Sequence, residues 1–157
     1  NGRLSPIRKT KKINQEKDLY ILSLFNSGTN PERKLINHAL ENNSLVVMPN
    51  TKNKLDYLSY IQRSKFNLCP EGNGPDTHRL WESLLFNSIP IMNRNNFSQL
   101  LENYGVPILL VDDWSELENQ NELTLNKFYK KNIKALEINN ITYFSFWENK
   151  FNQYLDE

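Results

Sequence analysis

Short apolar runs alternate with amphipathic segments from residue 18 onward. The apolar runs predict five strands, at residues 19–25, 44–48, 65–69, 89–92 and 106–111. The segments between them have helical periodicity: one helix begins at Pro31 and stops before Asn42, and others span residues 53–63, 79–87 and 97–103. Strands that alternate with helices at this spacing predict an α/β fold. We therefore expect a Rossmann-like parallel sheet of five or six strands with helices on both faces.

The helical segments also predict which side chains face the core. On the first helix the apolar face comprises Leu35, Ile36, Ala39 and Leu40, and on the second it comprises Leu55, Leu58 and Ile61. From about residue 122 the pattern predicts a helical C-terminal tail. One tail helix would turn inward Leu125, Phe128, Ile133 and Leu136, and the last helix would carry on one face Phe144, Trp147, Phe151 and Tyr154.

Composition and charge bound the classes of function. The chain has 157 residues, 38% of them hydrophobic, which suits one globular domain. A net charge of +1 argues against nucleic acid and membrane surfaces as partners, and no apolar run reaches the ~20 residues of a membrane span. The single cysteine, Cys69, excludes an intrachain disulfide and favours a reducing, cytoplasmic location, although a luminal one stays compatible.

The first 17 residues are polar and basic without periodicity. They predict a linker or surface arm at residues 1–17, followed by one domain at residues 18–157. Nucleic-acid binding through the basic residues 3–12 is the alternative for this arm, and binding that weakens steeply with salt would support it.

The chemistry-bearing segment runs from Ser64 to Glu82, where a strand leads into a glycine loop and then a helix start. In open α/β sheets, ligands lie outside the carboxyl ends of the strands. Glycines let the backbone approach a ligand, and a helix N-terminus offers unpaired N–H groups to an anion. The candidate phosphate-binding residues are Gly72, Asn73, Gly74, Thr77 and His78. Capping the helix is the competing interpretation for Thr77, and a cap or a surface position is the competing one for His78.

Arg79 and Glu82 lie three residues apart and share one face of that helix. An arginine there can bind a phosphate through two nitrogens, and a glutamate can accept hydrogen bonds from vicinal ribose hydroxyls. The alternative is a simple surface ion pair between the two side chains.

Two further segments are candidate sites. Ser27, Gly28 and Thr29 precede the first helix and form a second candidate anion site, or an ordinary strand-to-helix turn. Asp112 and Asp113 follow the last strand and could bind a cation or a sugar hydroxyl, but capping of the next helix is the favoured interpretation for them. The two histidines are far apart and there is no cysteine cluster, so we predict no metal site.

Residues 57–114 resemble a known family. Ser64-Lys65-Phe66-x-Leu68-Cys69-Pro70-x-Gly72-x-Gly74, then His78-Arg79-Leu80-Trp81-Glu82 and Ile89-Pro90-Ile91, are similar to the donor-binding half of exostosin-like glycosyltransferases. That family has the two-domain architecture called GT-B. The chain departs from it in having Asn87 where many relatives have glycine, and Glu71 where relatives often have a neutral or basic residue. Asparagine tolerates the left-handed conformation, so we expect the helix still to stop there.

The resemblance implies a function. The domain would bind a nucleoside diphosphate sugar, such as a UDP- or GDP-sugar, for transfer to a hydroxyl of a glycan or other acceptor. Arg79 would act on the leaving diphosphate and Glu82 on the ribose, without a bound metal or other cofactor. The acceptor-binding half would come from a missing N-terminal domain or a partner chain. The alternative is a non-catalytic nucleotide- or glycan-binding module, or one subunit of a split enzyme.

Overall fold

The computed structural model describes residues 16–138 and Phe146. Its strands are β1 (Leu19–Leu22), β2 (Val46–Val47), β3 (Ser64–Leu68), β4 (Ile89–Asn93) and β5 (Leu109–Val111). Its helices are α1 (Pro31–Leu40), α2 (Lys54–Arg63), α3 (His78–Leu85), α4 (Asn96–Asn103) and α5 (Glu122–Ile138), with a 3₁₀ helix at Trp114–Asn119. This part of the chain contains no helix with both the length and the apolar character that a bilayer crossing requires.

The five strands form one parallel sheet in the order β2-β1-β3-β4-β5. The predicted α/β class, the parallel pairing and the flanking helices are therefore confirmed. The chain first moves outward from β1 to β2 and then returns to the other side of β1 to form β3. The reversal falls at the carboxyl ends of β1 and β3, and sheets of this kind bind ligands in the crevice at such a reversal.

The core lies on both faces of the sheet. Ile21 and Leu22 are adjacent in β1 and both fully buried, yet they belong to different apolar clusters, because successive strand residues point to opposite faces. The face of Ile21 carries α1 and α5, and the face of Leu22 packs against Leu58 and Ile61 of α2. On α5 the predicted inward residues are confirmed, since Leu125 and Leu136 are buried and Phe128 and Ile133 pack against the core.

Several strands are shorter than their apolar runs predict. The run at residues 19–25 forms a strand only as far as Leu22, and the run at residues 44–48 pairs only at Val46–Val47. Leu24 and Phe25 leave the sheet but still pack against the core clusters. An apolar run indicates that its residues are buried, not that they pair in a sheet. Here the buried residues continue into the loops at the carboxyl edge after strand pairing has ended.

The predicted inward faces of α1 and α2 are wrong in part. Leu35 is 69% exposed, Leu55 is 64% exposed and Ala39 is also exposed. On α1 the buried stripe consists of Arg33, Ile36 and Leu40, so an arginine occupies the first inward position. On α2 the buried stripe begins only at Leu58. The predicted face of Phe144, Trp147, Phe151 and Tyr154 lies outside the described residues.

The helix ends follow the predicted local chemistry. The Asn30 side chain accepts a hydrogen bond from the Glu32 N–H, with Pro31 opening α1. After α3, Asn87 has a φ of 55°, which confirms the left-handed stop before β4. This stop sends the chain directly from α3 into β4, and α3 thereby stays beside the crevice.

Candidate functional site

The two loops at the crevice are joined by a buried arginine. Arg33 is 4% exposed and donates from Nε to the Glu71 carbonyl at 2.8 Å and from Nη2 to the Pro70 carbonyl at 3.0 Å. Its Nη1 donates at 3.1 Å to the carbonyl of Asn26, which lies in the loop after β1. A Cβ on Gly72 would lie 3.1 Å from Arg33 Nη2, so this close approach favours glycine. The loop with Ser27–Thr29 and the loop with Gly72 therefore lie side by side.

Arg79 projects from the first turn of α3 across this crevice. It is 6% exposed, and its Nε donates to the Leu24 carbonyl at 2.8 Å, just beyond the end of β1. The guanidinium carbons of Arg79 and Arg33 lie 5.7 and 5.5 Å from the centre of the Phe25 ring. Burial and the nearby Arg79 charge lower the pKa of Arg33. Among the described residues neither arginine has a carboxylate partner, so the crevice holds uncompensated positive charge.

Glu82 is buried one turn further along α3, with 5% of its surface exposed. Its Oε1 pairs with the ammonium of Lys54, and its Oε2 accepts a hydrogen bond from the Tyr57 hydroxyl at 2.5 Å. Burial, and then this hydrogen bond, raise the pKa of Tyr57, so the phenol stays a donor. Glu82 and Arg79 do not pair with each other. The alternative of a surface ion pair three residues apart is therefore wrong.

The N-terminus of α3 lacks a side-chain cap. Thr77 occupies the N-cap position and is 7% exposed, yet its hydroxyl has no hydrogen-bond partner among the described residues. Asp76, which precedes it, accepts instead from the Trp81 indole N–H at 2.7 Å. His78 opens the helix and is exposed. An uncapped helix start beside a buried, unpaired hydroxyl offers donors to an anion.

The glycine loop uses one of its candidate phosphate-binding amides internally. The Gly72 N–H donates to the Gly74 carbonyl at 3.0 Å, so that amide is already used inside the loop. Asn73 is exposed, and a Cβ on Gly74 would meet nothing within 4 Å. Glu71, a departure from the family pattern, accepts at Oε1 from the Asn95 side chain at 2.7 Å. Its carboxylate is thus engaged by the N-cap residue of α4.

The loop at Ser27–Thr29 is organised as a turn around Asn26. The Gly28 N–H donates to Asn26 Oδ1 at 2.8 Å, and the Thr29 N–H to the Asn26 carbonyl at 3.5 Å. Since Asn30 caps α1, these amides and the helix start are largely occupied. The geometry favours the strand-to-helix turn over a second anion site.

The acidic pair after β5 has structural roles. The Asp113 side chain caps the 3₁₀ helix, and Asp112 Oδ1 accepts from Arg94 Nε at 2.9 Å. In the stretch of chain that is described, no three His, Cys, Asp or Glu side chains come together as a metal site would require. Cys69 is fully buried, and burial raises the pKa of its thiol to about 12.

Sequence reasoning missed three residues of this site: Arg33, Lys54 and Tyr57. One signal was present for Arg33, which lies three residues before Ile36 and seven before Leu40 and so falls on the buried stripe of its helix. Lys54 and Tyr57 have the same three-residue spacing on α2 as Arg79 and Glu82 on α3. Nothing in the sequence indicates that the two helices meet at Glu82.

The structure is a Rossmann-like α/β domain with a candidate ligand site. This site lies where the strand order of the parallel sheet reverses, and one helix beside it carries a buried arginine and a buried glutamate. The family model described as the RXYLT1 C-terminal domain matches residues 33–156. The chain belongs to this family, a C-terminal domain of exostosin-like glycosyltransferases. The match runs from the third residue of α1 through α5 and includes the whole of the candidate site on α2 and α3. A comparison with curated protein sequences finds no significant match.

Proposed function

We propose that this domain binds the nucleoside diphosphate sugar donor of a glycosyltransferase. The observation that carries the proposal is the state of Arg79 and Glu82. They are oppositely charged, buried and three residues apart on one helix, yet they are not paired with each other. Glu82 is held instead by Lys54 and Tyr57, whereas Arg79 has no carboxylate partner among the described residues. Burying a charge without a counter-charge is costly, and such groups concentrate at functional sites. A ligand with an anionic part would supply the charge that Arg79 lacks, and its hydroxyl-bearing part could hydrogen-bond to Glu82.

The diphosphate is assigned to the N-terminus of α3. Arg79 lies in the first turn of this helix, the Thr77 hydroxyl at its N-cap has no partner among the described residues, and no described side chain caps the helix start. Because two guanidinium groups already supply positive charge, diphosphate binding would not require Mg²⁺. In the transfer reaction the bond between the sugar anomeric carbon and the diphosphate oxygen breaks, the acceptor hydroxyl oxygen becomes bonded to that carbon, and the hydroxyl proton is released. Arg79 would stabilise the negative charge that accumulates on the departing diphosphate.

The ribose is assigned to Glu82, whose carboxylate accepts hydrogen bonds and is fixed by Tyr57. A carboxylate can accept from both vicinal hydroxyls. A hydrogen bond to a charged group contributes about 1.5–3 kcal/mol. Losing two such bonds would weaken binding by about 100-fold or more.

Calorimetric titration tests the proposal. The domain would be titrated with UDP, GDP, dTDP and CMP, with and without Mg²⁺, as wild type and as Glu82→Ala and Arg79→Ala. We expect one diphosphate to bind without metal, and each variant to lose about 100-fold in affinity. Unchanged affinity in both variants would refute the assignment. Transfer and hydrolysis assays on the full-length gene product then separate an enzyme from a non-catalytic module.

A further inference from the structure

Lys54 lies at the end of its helix where a positive charge is unfavourable. It is the first residue of α2, where the positive end of the helix dipole disfavours a cation. Its side chain instead reaches α3 to pair with Glu82, and its Nζ lies 4.3 Å from the centre of the Tyr57 ring. The side chain is 44% exposed, whereas that of Glu82 is 7% exposed. Lys54 therefore covers the solvent side of a buried carboxylate.

This position conflicts with ribose binding. In the structure both Glu82 oxygens are engaged, Oε1 by Lys54 and Oε2 by Tyr57. Of the two partners, Tyr57 is the more fixed, because its ring packs against the core cluster of α2. Lys54 is the movable partner, since a lysine ammonium sits on a flexible four-carbon stem and its side chain here is partly in solvent. A sugar hydroxyl that takes a place on Glu82 would displace Lys54.

A displaced ammonium needs a new anion, and the site holds an excess of cations over carboxylates. Arg33, Arg79 and Lys54 lie at the site, and within residues 16–138 Glu82 is the one carboxylate that pairs with any of them. A diphosphate bound beside Arg79 would supply the missing negative charge. The Lys54 ammonium could then exchange a carboxylate for a phosphate oxygen and remain paired.

We propose that Lys54 is an exchange residue: it neutralises Glu82 in the empty site and moves to the donor diphosphate when the ribose takes its place. The inference rests on the proposed donor site and adds a residue that makes ribose binding and diphosphate binding depend on each other. A nucleoside alone must break the Lys54–Glu82 pair without compensation. A nucleoside diphosphate offers the ammonium a replacement. Lys54 would thus favour diphosphate-bearing ligands over nucleosides and act as a specificity-determining residue.

The test compares two ligands that share the base preferred by the wild type, the nucleoside and its diphosphate, in four proteins. Lys54→Met should bind the nucleoside about threefold to tenfold more tightly and the diphosphate about tenfold more weakly. Lys54→Arg should keep the wild-type ratio of the two affinities within about threefold. The matched control is Lys52→Met, which removes an exposed lysine two residues earlier and should change neither affinity. Shifts of both ligands in the same direction in Lys54→Met, or an unchanged ratio, would overturn the exchange.

A second measurement uses the wild-type protein alone and does not depend on how Lys54→Met folds. Reductive methylation of lysines, located by mass spectrometry, reports the freedom of each amine. The nucleoside should increase modification of Lys54, and the diphosphate should decrease it. Equal modification with the two ligands contradicts the exchange while leaving the donor site intact. A wild type that binds no nucleoside diphosphate at all refutes the proposed function, and the exchange with it.

Discussion

Arg33 and Arg79 are two buried arginines whose replacement should affect different properties of the domain. Both are nearly fully buried, and both guanidinium groups lie beside the Phe25 ring. Arg33 is committed to three backbone carbonyls, whereas Arg79 donates to one. We predict that Arg33→Met mainly lowers the free energy of unfolding. Arg79→Met should mainly lower the affinity for a nucleoside diphosphate.

The expected sizes follow from the contacts. Each hydrogen bond from a charged donor contributes about 1.5 kcal/mol at the low end, so Arg33→Met should destabilise the domain by about 3–5 kcal/mol. Arg79→Met loses one such bond and also relieves the repulsion that lowers the pKa of Arg33. Its net cost should be about 1 kcal/mol. Its diphosphate affinity should fall by about 100-fold, because the uncompensated charge is removed.

Urea denaturation followed by tryptophan fluorescence measures the free energy of unfolding, and calorimetry measures affinity. Both variants would be compared with wild type at the same pH and salt, because electrostatic contributions are screened. The reasoning is refuted if Arg79→Met destabilises the domain as much as Arg33→Met does and leaves diphosphate affinity unchanged.

Three further predictions concern stability and reactivity. Asn87→Val should destabilise the domain by about 1–2 kcal/mol, because a φ of 55° strains a β-branched residue. Asn87→Gly should not destabilise it, and equal denaturation midpoints for the two variants would contradict this reasoning. Burial lowers the pKa of Lys17 to about 7, so between pH 7 and about 10 the unfolded chain binds more protons than the folded one and stability rises with pH. From pH 7 to pH 9 the free energy of unfolding of the wild type should therefore rise by about 2 kcal/mol relative to that of Lys17→Met. Urea denaturation measures this difference, and an unchanged difference would refute the burial of this ammonium. Cys69, with a pKa of about 12 and no exposure, should react with iodoacetamide only when denaturant opens the fold, and rapid labelling of the native protein would contradict its position.

The fold class was predictable because strands buried on two faces appear as apolar runs, and each run is followed by a helix with its own start signal. Asn30 with Pro31 marks the start of α1, and Asn87 marks the end of α3. Strand lengths were less predictable. Phe25 is apolar because it packs between loop and core, and nothing in its chemistry distinguishes that packing from a place in β1.

The candidate site was predictable only where one helix carries it. The spacing of Arg79 and Glu82 on α3 was enough to predict that both belong to one site. It did not predict that both side chains are buried, or which groups they contact. Lys54 and Glu82 are 28 residues apart, and Arg33 meets the Glu71 carbonyl across 38 residues. Such contacts depend on how α1 and α2 pack against the sheet. Local periodicity does not contain that information.

The most direct test of the account is a crystal structure of the domain with its preferred nucleoside diphosphate bound. The account predicts ribose hydroxyls within hydrogen-bond distance of the Glu82 carboxylate, with Tyr57 still in place. It predicts the diphosphate at the N-terminus of α3 beside Arg79 and Thr77. A nucleotide bound away from this crevice, or one that leaves Glu82 and Arg79 uncontacted, would contradict it.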